Sequence, residues 1–336
     1  MDVLMITGSY PPAVCGVGDY TMNVLSSKVA SDWRLYHRTD WRFSKLLTII
    51  HEINTFNAER IFIQYPTQGY GWSIVPHLLC VYYSLIRKVN CTLVLHEYSQ
   101  LSVKARIAVK LMLLTATNII VTNEFERTEV ARVSKSVSRR SKVVKIVSNI
   151  PVSKNILKTN LRKYDLAYFG HIRPKKGIED YLDVAAKIRF MHPNCSLLLI
   201  GQIPPGFEDY SQKIIEQCLY LKIETKQNLN AEVVADLLAQ VKVTYLPFPD
   251  GISERRGTAL AALANGSIVL TTTGPHTTSE LRDAVCIVSS DNVMREIEQL
   301  LVSSEQRHTG LQCKGKAYLN ELTPATWDSI ACDYLK

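Results

Sequence analysis

The sequence has no uninterrupted apolar run of about 18 residues, the length a membrane-spanning helix needs, so no segment is expected to cross a bilayer. The nearest approach, residues 107–121, is broken by Lys110 and Asn118. No C-x-x-C pair occurs among the eight cysteines at 15, 80, 91, 195, 218, 286, 313 and 332, most of which sit inside apolar runs. They read as buried free thiols in a reducing compartment, not as a disulfide framework. The opening residues MDVLMITGSYPP lack a basic leader region and a small-residue cleavage site, and read as a first β-strand running into a loop. The expectation is a cytoplasmic protein, soluble or peripheral. Carboxylates are the scarcer charge, 31 Asp and Glu against 39 Lys and Arg; the net +8 suits an anionic ligand or an anionic membrane surface without identifying nucleic acid. What is there is an ordinary globular balance, 46% hydrophobic and 21% charged, which leaves little room for disorder. A chain of 336 residues accommodates two α/β domains at roughly 150 residues each, and therefore a cleft.

Residues 247–273, PFPDGISERRGTALAALANGSIVLTTT, carry the most local information. A strand over 241–247 ends in proline, a polar loop follows, and an alanine- and leucine-rich helix over 258–264 stops at Asn265-Gly266, a pair that ends helices. The short β-branched run 268–270 reads as a buried parallel strand. The loop delivers Glu254, Arg255 and Arg256 to the helix start, where Gly257 and Thr258 leave backbone N–H groups uncovered. Such an arrangement is an anion site. An ordinary α/β turn with a solvated charge cluster accounts for the same residues equally well.

Upstream, a strand over 3–6 runs into GSYPPAVCGVGDY before a helix over 21–29. The prolines with Gly16 and Gly18 make a flexible loop able to approach a ligand, and Asp19 is placed to cap the helix. The glycine spacing is not the dinucleotide G-x-G-x-x-G, and a plain strand-to-helix turn is the simpler account. A strand over 60–65 leads into PTQGYGW, with Gln68 and Tyr70, and a strand over 92–95 ends in His96-Glu97-Tyr98. A histidine there faces the crevice where open α/β sheets bind ligands, although a satisfied structural histidine is the commoner case. After a strand over 118–122 come Asn123, Glu124 and a helix, then RVSKSVSRRSKVVK, residues 132–145, with six basic residues and no acidic one. That run is a solvated face or, with Lys104, Arg106 and Lys110, a patch for acidic lipid headgroups. The polar stretch 151–163 marks the domain boundary. The second half restarts with a strand over 164–169 and then GHIRPKKGIEDYLDVAAKI. Gly170 lets the chain turn, His171 and Arg173 share a face if strand geometry persists, and Lys176-Gly177 precedes a helix. This is a second anion site. Strands over 196–201 and 222–226, with helices around 210–219 and 231–239, complete an alternation that implies parallel sheets covered by helices on both faces, twice over.

Taken together, FGHIRPKKGIEDYL and PFPDGISERRGTALAALANGSIVLTT, with PPAVCGVGDY, LVLHEYS and TNEFER in the first half and TWDSIACDYLK at the end, resemble family 4 of the glycosyltransferases over nearly the whole chain. The resemblance implies an α/β architecture of GT-B type: two facing Rossmann-like, doubly wound domains. An acceptor domain would occupy residues 1–155 and a nucleotide-sugar donor domain 156–315, with a helix over 316–336 crossing back to the first. It implies a retaining, hexosyltransferase-type enzyme that moves a sugar from a nucleoside diphosphate sugar to a saccharide or lipid-linked saccharide in envelope polysaccharide assembly. No cofactor and no obligatory metal are implied, and no Asp-x-Asp motif occurs. The implied partners are the nucleotide sugar, the acceptor and an anionic membrane met peripherally at its inner face, and no nucleic acid.

Carried residue by residue, the resemblance gives catalytic roles to His96, Arg173, Lys176 and Glu254. Donor binding falls to Gly16, Gly18, Gly170, His171, Arg256, Gly257 and Thr258, while Asp19, Gln68, Tyr70, Glu97 and Glu124 are acceptor-side candidates. The family's basic pair maps to Lys176 and to position 171, where histidine replaces the usual arginine, so the arginine's role passes to Arg173. The family's two glutamates fall on Ser253 and Ala261; Glu254 can replace the first by a one-residue shift, but Ala261 cannot hold a ribose through its side chain. Cys15 stands where one of the first loop's glycines would be. Transfer is implied to be a front-face reaction in which the leaving phosphate takes the acceptor's proton, with cations and helix N–H groups in place of a metal and domain closure excluding water. Two other readings stay open: a catalytically silent sugar-nucleotide-binding partner, suggested by the missing glutamates, and a GT-B-fold epimerase acting without an acceptor.

Overall fold

The computed structural model describes residues 2–322 and 326–336. They divide into two compact units, the chain as far as Val147 together with its last helix, and the chain from Ser148 onward. The first unit alternates β1 (Val3–Thr7), α1 (Gly16–Leu25), β2 (Arg34–His37), α2 (Leu46–Asn54), β3 (Arg60–Tyr65), α3 (Val75–Val81), β4 (Asn90–Leu95), α4 (Val103–Thr115), β5 (Asn118–Val121), α5 (Glu124–Ala131), α6 (Lys135–Arg140) and β6 (Ser141–Val143). Its strands pair in parallel in the order β2-β1-β3-β4-β5-β6. Strand β1 is buried along its whole length, as a central strand covered on both faces must be. Alternate residues feed two clusters: Leu4 and Ile6 pack with Ile61, Ile63 and Leu93 on one face, Val3 and Met5 with Phe62 and Val94 on the other.

The second unit repeats the plan with β7 (Tyr164–His171), α7 (Ile178–Met191), β8 (Leu197–Gln202), α8 (Glu208–Tyr220), β9 (Glu224–Gln227), α9 (Ala231–Leu238), β10 (Val241–Leu246), α10 (Gly257–Ala264), β11 (Ile268–Thr271), α11 (Ser279–Ala284), β12 (Cys286–Ile287), α12 (Val293–Leu301) and α13 (Glu305–Leu322). The order is β12-β11-β10-β7-β8-β9, again all parallel.

The break between the units falls after Val147, ahead of the polar stretch that marks it in the sequence. That stretch is tied down by the second unit: the Ser153 N–H donates to Asn265 Oδ1 at 2.7 Å, the Ser153 hydroxyl to Asp236 at 2.6 Å, and Arg162 to the Val241 carbonyl at 2.7 Å. At the other end, residues from 316 onward still belong to α13, and the helix packed on the first unit is α14 (Trp327–Leu335). Its Ile330, Ala331 and Tyr334 are buried against Val3, Met5 and Phe62. Trp33 stacks on Phe62 with ring centres 5.6 Å apart, and the Tyr334 hydroxyl donates to that of Tyr20 at 3.1 Å.

Helix α1 begins at Gly16, not near residue 21, which revises three site assignments. The Asp19 N–H already makes a helical bond to the Cys15 carbonyl at 2.9 Å, so Asp19 is in the first turn and is not the cap. There its carboxylate complements the helix dipole. Gly16 and Gly18 are helical, not a flexible loop, and Gly18 serves packing: a Cβ there would come within 3.0 Å of the Ser9 carbonyl oxygen.

Candidate functional site

An open parallel sheet leaves a crevice beyond the carboxyl ends of its strands where the strand order reverses. In the second unit that point lies between β7 and β10. Strand β7 continues through Gly170, paired with Gly201, and His171, paired with Gln202, so Gly170 does not turn the chain as the sequence suggests. The turn follows it. The Arg173 N–H folds back to the His171 carbonyl at 3.0 Å, and Lys175 and Gly177 take left-handed backbone at φ 63° and 78°. Strand geometry therefore stops at His171, and the shared strand face expected for His171 and Arg173 is not what gathers them; the turn does. Burial and the neighbouring Lys176 and Arg173 charges push the His171 imidazole down to about 4, against a hydrogen bond with Gln202. It is neutral near pH 7, which leaves Arg173 and Lys176 as the cations. Tyr168, buried beneath the turn, donates its hydroxyl to the Lys176 carbonyl at 3.1 Å. Burial, Tyr210 and Glu179 push that phenol up, while Arg173 and Arg256 pull it down, so both guanidinium groups lie within electrostatic reach of one side chain.

The loop after β10 is clamped from two sides. Gly177 meets it so closely that a Cβ would lie 1.9 Å from the Pro247 carbonyl oxygen, and Gly274 approaches until a Cβ would lie 2.0 Å from that of Asp250. The Ile252 N–H donates to the Thr272 carbonyl at 2.9 Å, and the Thr277 hydroxyl to the Ile252 carbonyl at 2.7 Å. Arg256 sits at the N-cap of α10, paired with Asp250 and 4.5 Å over the Phe248 ring. The Arg256 side chain makes no capping hydrogen bond to the helix, and Thr258 lies in its first turn. The Gly257 N–H donates to the Arg255 carbonyl at 3.0 Å, so it is not the open donor that the sequence suggests. Glu254 lies near Tyr318 of α13, whose phenol is pushed up by burial, Glu254 and Glu280.

In the first unit the order reverses between β1 and β3. The loops that follow these strands are joined by the Gly69 N–H donating to the Ser9 hydroxyl at 2.7 Å. Gln68 is exposed, but Tyr70 is core: 3% exposed, edge-on to Trp41 at 4.7 Å, with its hydroxyl turned to the Ile6 carbonyl at 3.4 Å. An acceptor cannot reach its hydroxyl, and Tyr70 leaves the acceptor-side set. His96 is 7% exposed; its Nε2 lies 2.8 Å from Gln64 Oε1, its ring is edge-on to Tyr20, and burial pushes it down to about 4. That is the geometry of a structural, neutral histidine at the edge of the crevice. Glu97 is exposed. Glu124 is exposed and pairs with Arg127 at 2.6 Å; the buried carboxylate of α5 is Glu126, which accepts the Tyr98 and Ser99 N–H groups at 2.9 Å each and the Ser99 hydroxyl at 2.6 Å. The sequence reading missed Glu126, although two residues along a helix puts it on the face opposite Glu124. Asp19 is half-buried, and burial pushes its carboxyl up.

Residues 149–309, just under half of the chain, match the family described as Glycosyl transferases group 1. The matched segment lies within the second unit. The whole chain is similar in structure to Anabaena Alr3699/HepE in complex with UDP, at a TM-score of 0.70 and 14% identity over 100% of this chain and 99% of that one. It is also similar to a glycosyltransferase from Rickettsia africae ESF-5, at 0.66 and 10% identity over 99% of this chain and 97% of that one. For the catalytic domain of starch synthase IV from Arabidopsis thaliana, bound to ADP and acarbose, the values are 0.64 and 10% over 99% and 98%. No curated protein matches the sequence. These likenesses establish the fold, the two-domain α/β layout of GT-B glycosyltransferases.

The matched segment contains the whole cation cluster, from Gly170 to Lys176 and from Glu254 to Thr258. It also contains the two positions where the family resemblance expects glutamate. Ser253 is 7% exposed, and Ala261 is fully buried in the core beside Leu260, Leu263 and Val269. The second position is closed by packing, so a ribose hydroxyl has no side chain to meet there.

Proposed function

We propose that this chain is a glycosyltransferase that takes its sugar from a nucleoside diphosphate sugar, with retention at the anomeric carbon and without a required metal. The observation that carries this reading is the gathering of Arg173 and Lys176 around a neutral His171 at the reversal point of a group 1 glycosyltransferase sheet, beside the N-terminus of α10. The similar Anabaena protein is in complex with UDP and the Arabidopsis one with ADP, and a diphosphate is what the two ligands share. In the proposed reaction the anomeric C1–O bond to the diphosphate breaks as the acceptor oxygen bonds C1 on the same face. The acceptor proton passes to the leaving phosphate oxygen. Arg173 and Lys176 stabilise the charge that builds on that phosphate, a preorganised contribution of several kcal/mol. Thr258 in the first turn of α10 adds an N–H pointed along the helix dipole, and Glu254 holds sugar hydroxyls.

We assign the acceptor, a saccharide or lipid-linked saccharide of envelope polysaccharide assembly, to the strand-end loops of the first unit that carry Gln68 and Glu97, with Asp19 in the first turn of α1, on the cytoplasmic side at the inner face of the membrane. The buried Ala261 favours one second reading, a sugar-nucleotide-binding partner without turnover. The deciding experiment is a thermal-shift panel of uridine, adenosine, guanosine and thymidine diphosphate sugars with and without EDTA, followed by turnover with added acceptor. A shift with one base, unchanged by EDTA and lost in Arg173→Ala, supports the donor site. Binding without turnover supports the silent partner, and no shift with any donor sinks both.

A further inference from the structure

Helix α4 buries Val109, Met112 and Leu113 and turns Val103, Ile107, Leu111 and Leu114 outward, at 75%, 62%, 40% and 54% exposure. At 3.6 residues per turn these four fall within an arc of about 80°. Lys110 and Lys104 stand at its two edges, both exposed. The C-terminal end of α3 lies alongside that of α4, with the Cys80 thiol 3.8 Å from the Met112 carbonyl and 3.8 Å from the Thr115 hydroxyl. The turn that continues α3 ends in Leu85, Ile86, Arg87 and Lys88, all exposed. Helix α6 adjoins the same end: Arg140 donates to the carbonyls of Leu113 at 3.1 Å and Leu114 at 3.3 Å, while Lys135 and Arg139 are exposed. Trp72, in the loop before α3, is almost fully exposed.

Charge of the opposite sign is sparse on this part of the chain. Between Arg60 and Asp165 the only carboxylates are Glu97, Glu124, Glu126 and Glu129. Glu126 is buried, and Glu124 and Glu129 pair with Arg127 and Arg132. An apolar stripe edged by lysines is the form of a helix that lies in a membrane interface, its apolar side at the acyl boundary and its ammonium groups reaching the phosphates. A protein partner would select against lysine at such a surface. Among the described residues no helix is long and apolar enough to cross a membrane, so the contact in view is peripheral.

We propose that α4, with the adjoining ends of α3 and α6, is a docking surface for an anionic phospholipid bilayer. This gives the peripheral placement proposed above a surface, and it does not depend on the glycosyl-transfer chemistry. The test is co-sedimentation of the full chain with vesicles of phosphatidylcholine alone and of phosphatidylcholine with phosphatidylglycerol. Binding to the anionic vesicles should be tenfold tighter or more and should weaken with salt. The pair Lys104→Glu and Lys110→Glu should lower it at least about tenfold. The pair Ile107→Ser and Leu111→Ser should lower it similarly, with both variants keeping the wild-type unfolding midpoint because the side chains are exposed. A wild type that ignores anionic vesicles, or variants that bind them equally well, would overturn the proposal. So would a dimer, seen by light scattering without vesicle binding, that the Ile107 and Leu111 pair dissolves. Nucleotide-sugar binding measured on the same preparations separates the two readings: donor binding without vesicle binding removes the docking surface only, and the converse removes the transfer reading only.

Discussion

His96 and His171 end central strands of different sheets, and both are held uncharged, one by burial alone and the other by burial beside two cations. The consequences differ. His96 falls from an unfolded value near 6.5 to about 4 on folding, so the unfolded chain takes up the proton first and stability is lost as pH drops from about 6.5 to about 4. The full effect is about 3 kcal/mol, and His77, also pushed down by burial, adds to it in the same direction. Urea titrations at pH 7.5 and 4.5 should show the first unit losing stability in acid, with a smaller loss in His96→Gln; an equal loss would free His96 of this role. At His171 the relevant anion is the donor. A bound diphosphate offsets Lys176 and Arg173 and raises the imidazole from about 4, so binding takes up a proton and tightens as pH falls from 7.5 to 5.5. Nucleoside diphosphate sugars carry no ionisation of their own in that range, and calorimetry with His171→Asn should give a flat profile. The sequence shows Lys176 and Arg173 as cations after a strand end, but the turn that brings their charges to His171 replaces the shared strand face expected there. Tyr70 and Glu126 are not legible in it: whether a loop tyrosine points outward, and which of two neighbouring glutamates turns inward, is decided by Trp41 and by the Tyr98-Ser99 backbone, which lie far away along the chain.

At the scale of elements, the sequence shows the strands well because the central strands are short, mostly apolar runs, and β10, α10 and β11 fall within a residue or so of expectation. Helix α1 was hidden because its first turn is written in glycines and its N-cap, Cys15, makes no side-chain bond. The clamp on the β10 loop could not be read at all, since it joins Gly177 to Pro247 and Gly274 to Asp250. It makes a testable claim. Gly177→Ala must strain a backbone at φ 78° and also displace the Pro247 carbonyl, whereas Gly206→Ala, at φ 84° with open space around it, meets only the first cost. Gly177→Ala should destabilise the fold by more than about 1 kcal/mol and weaken donor binding, with Gly206→Ala affecting binding little. Equal donor affinities in the two variants would show that the clamp does not set the position of Lys176. Helix α14 offers the parallel case: Tyr334→Ala removes a ring buried against Phe62 and Trp33, and should cost the first unit about 3–5 kcal/mol in urea unfolding.

At the scale of the whole molecule, the chain holds two parallel, doubly wound sheets of different strand order, each with a reversal point, and Arg173 and Lys176 follow the first strand of the second. The sequence located the division a little late, because a polar and irregular stretch looks like a linker until Asn265, Asp236 and Val241 are seen to hold it. With two units, unfolding need not be a single transition, and ligand effects should be local. A nucleoside diphosphate, the leaving group alone, should bind the second unit through Arg173, Lys176 and the first turn of α10. At about one hundred times its dissociation constant it stabilises whatever it binds by roughly 2.7 kcal/mol. Hydrogen exchange should then slow at amides of β7, β10 and α10 in the wild type and stay unchanged in Lys176→Ala, while β1 and β4 keep their rates. Protection that appears around His96 and the β1 turn instead would move the diphosphate site to the first unit. The cations of the β7 turn would then be a solvated face, and the buried alanine at position 261 would need no compensation.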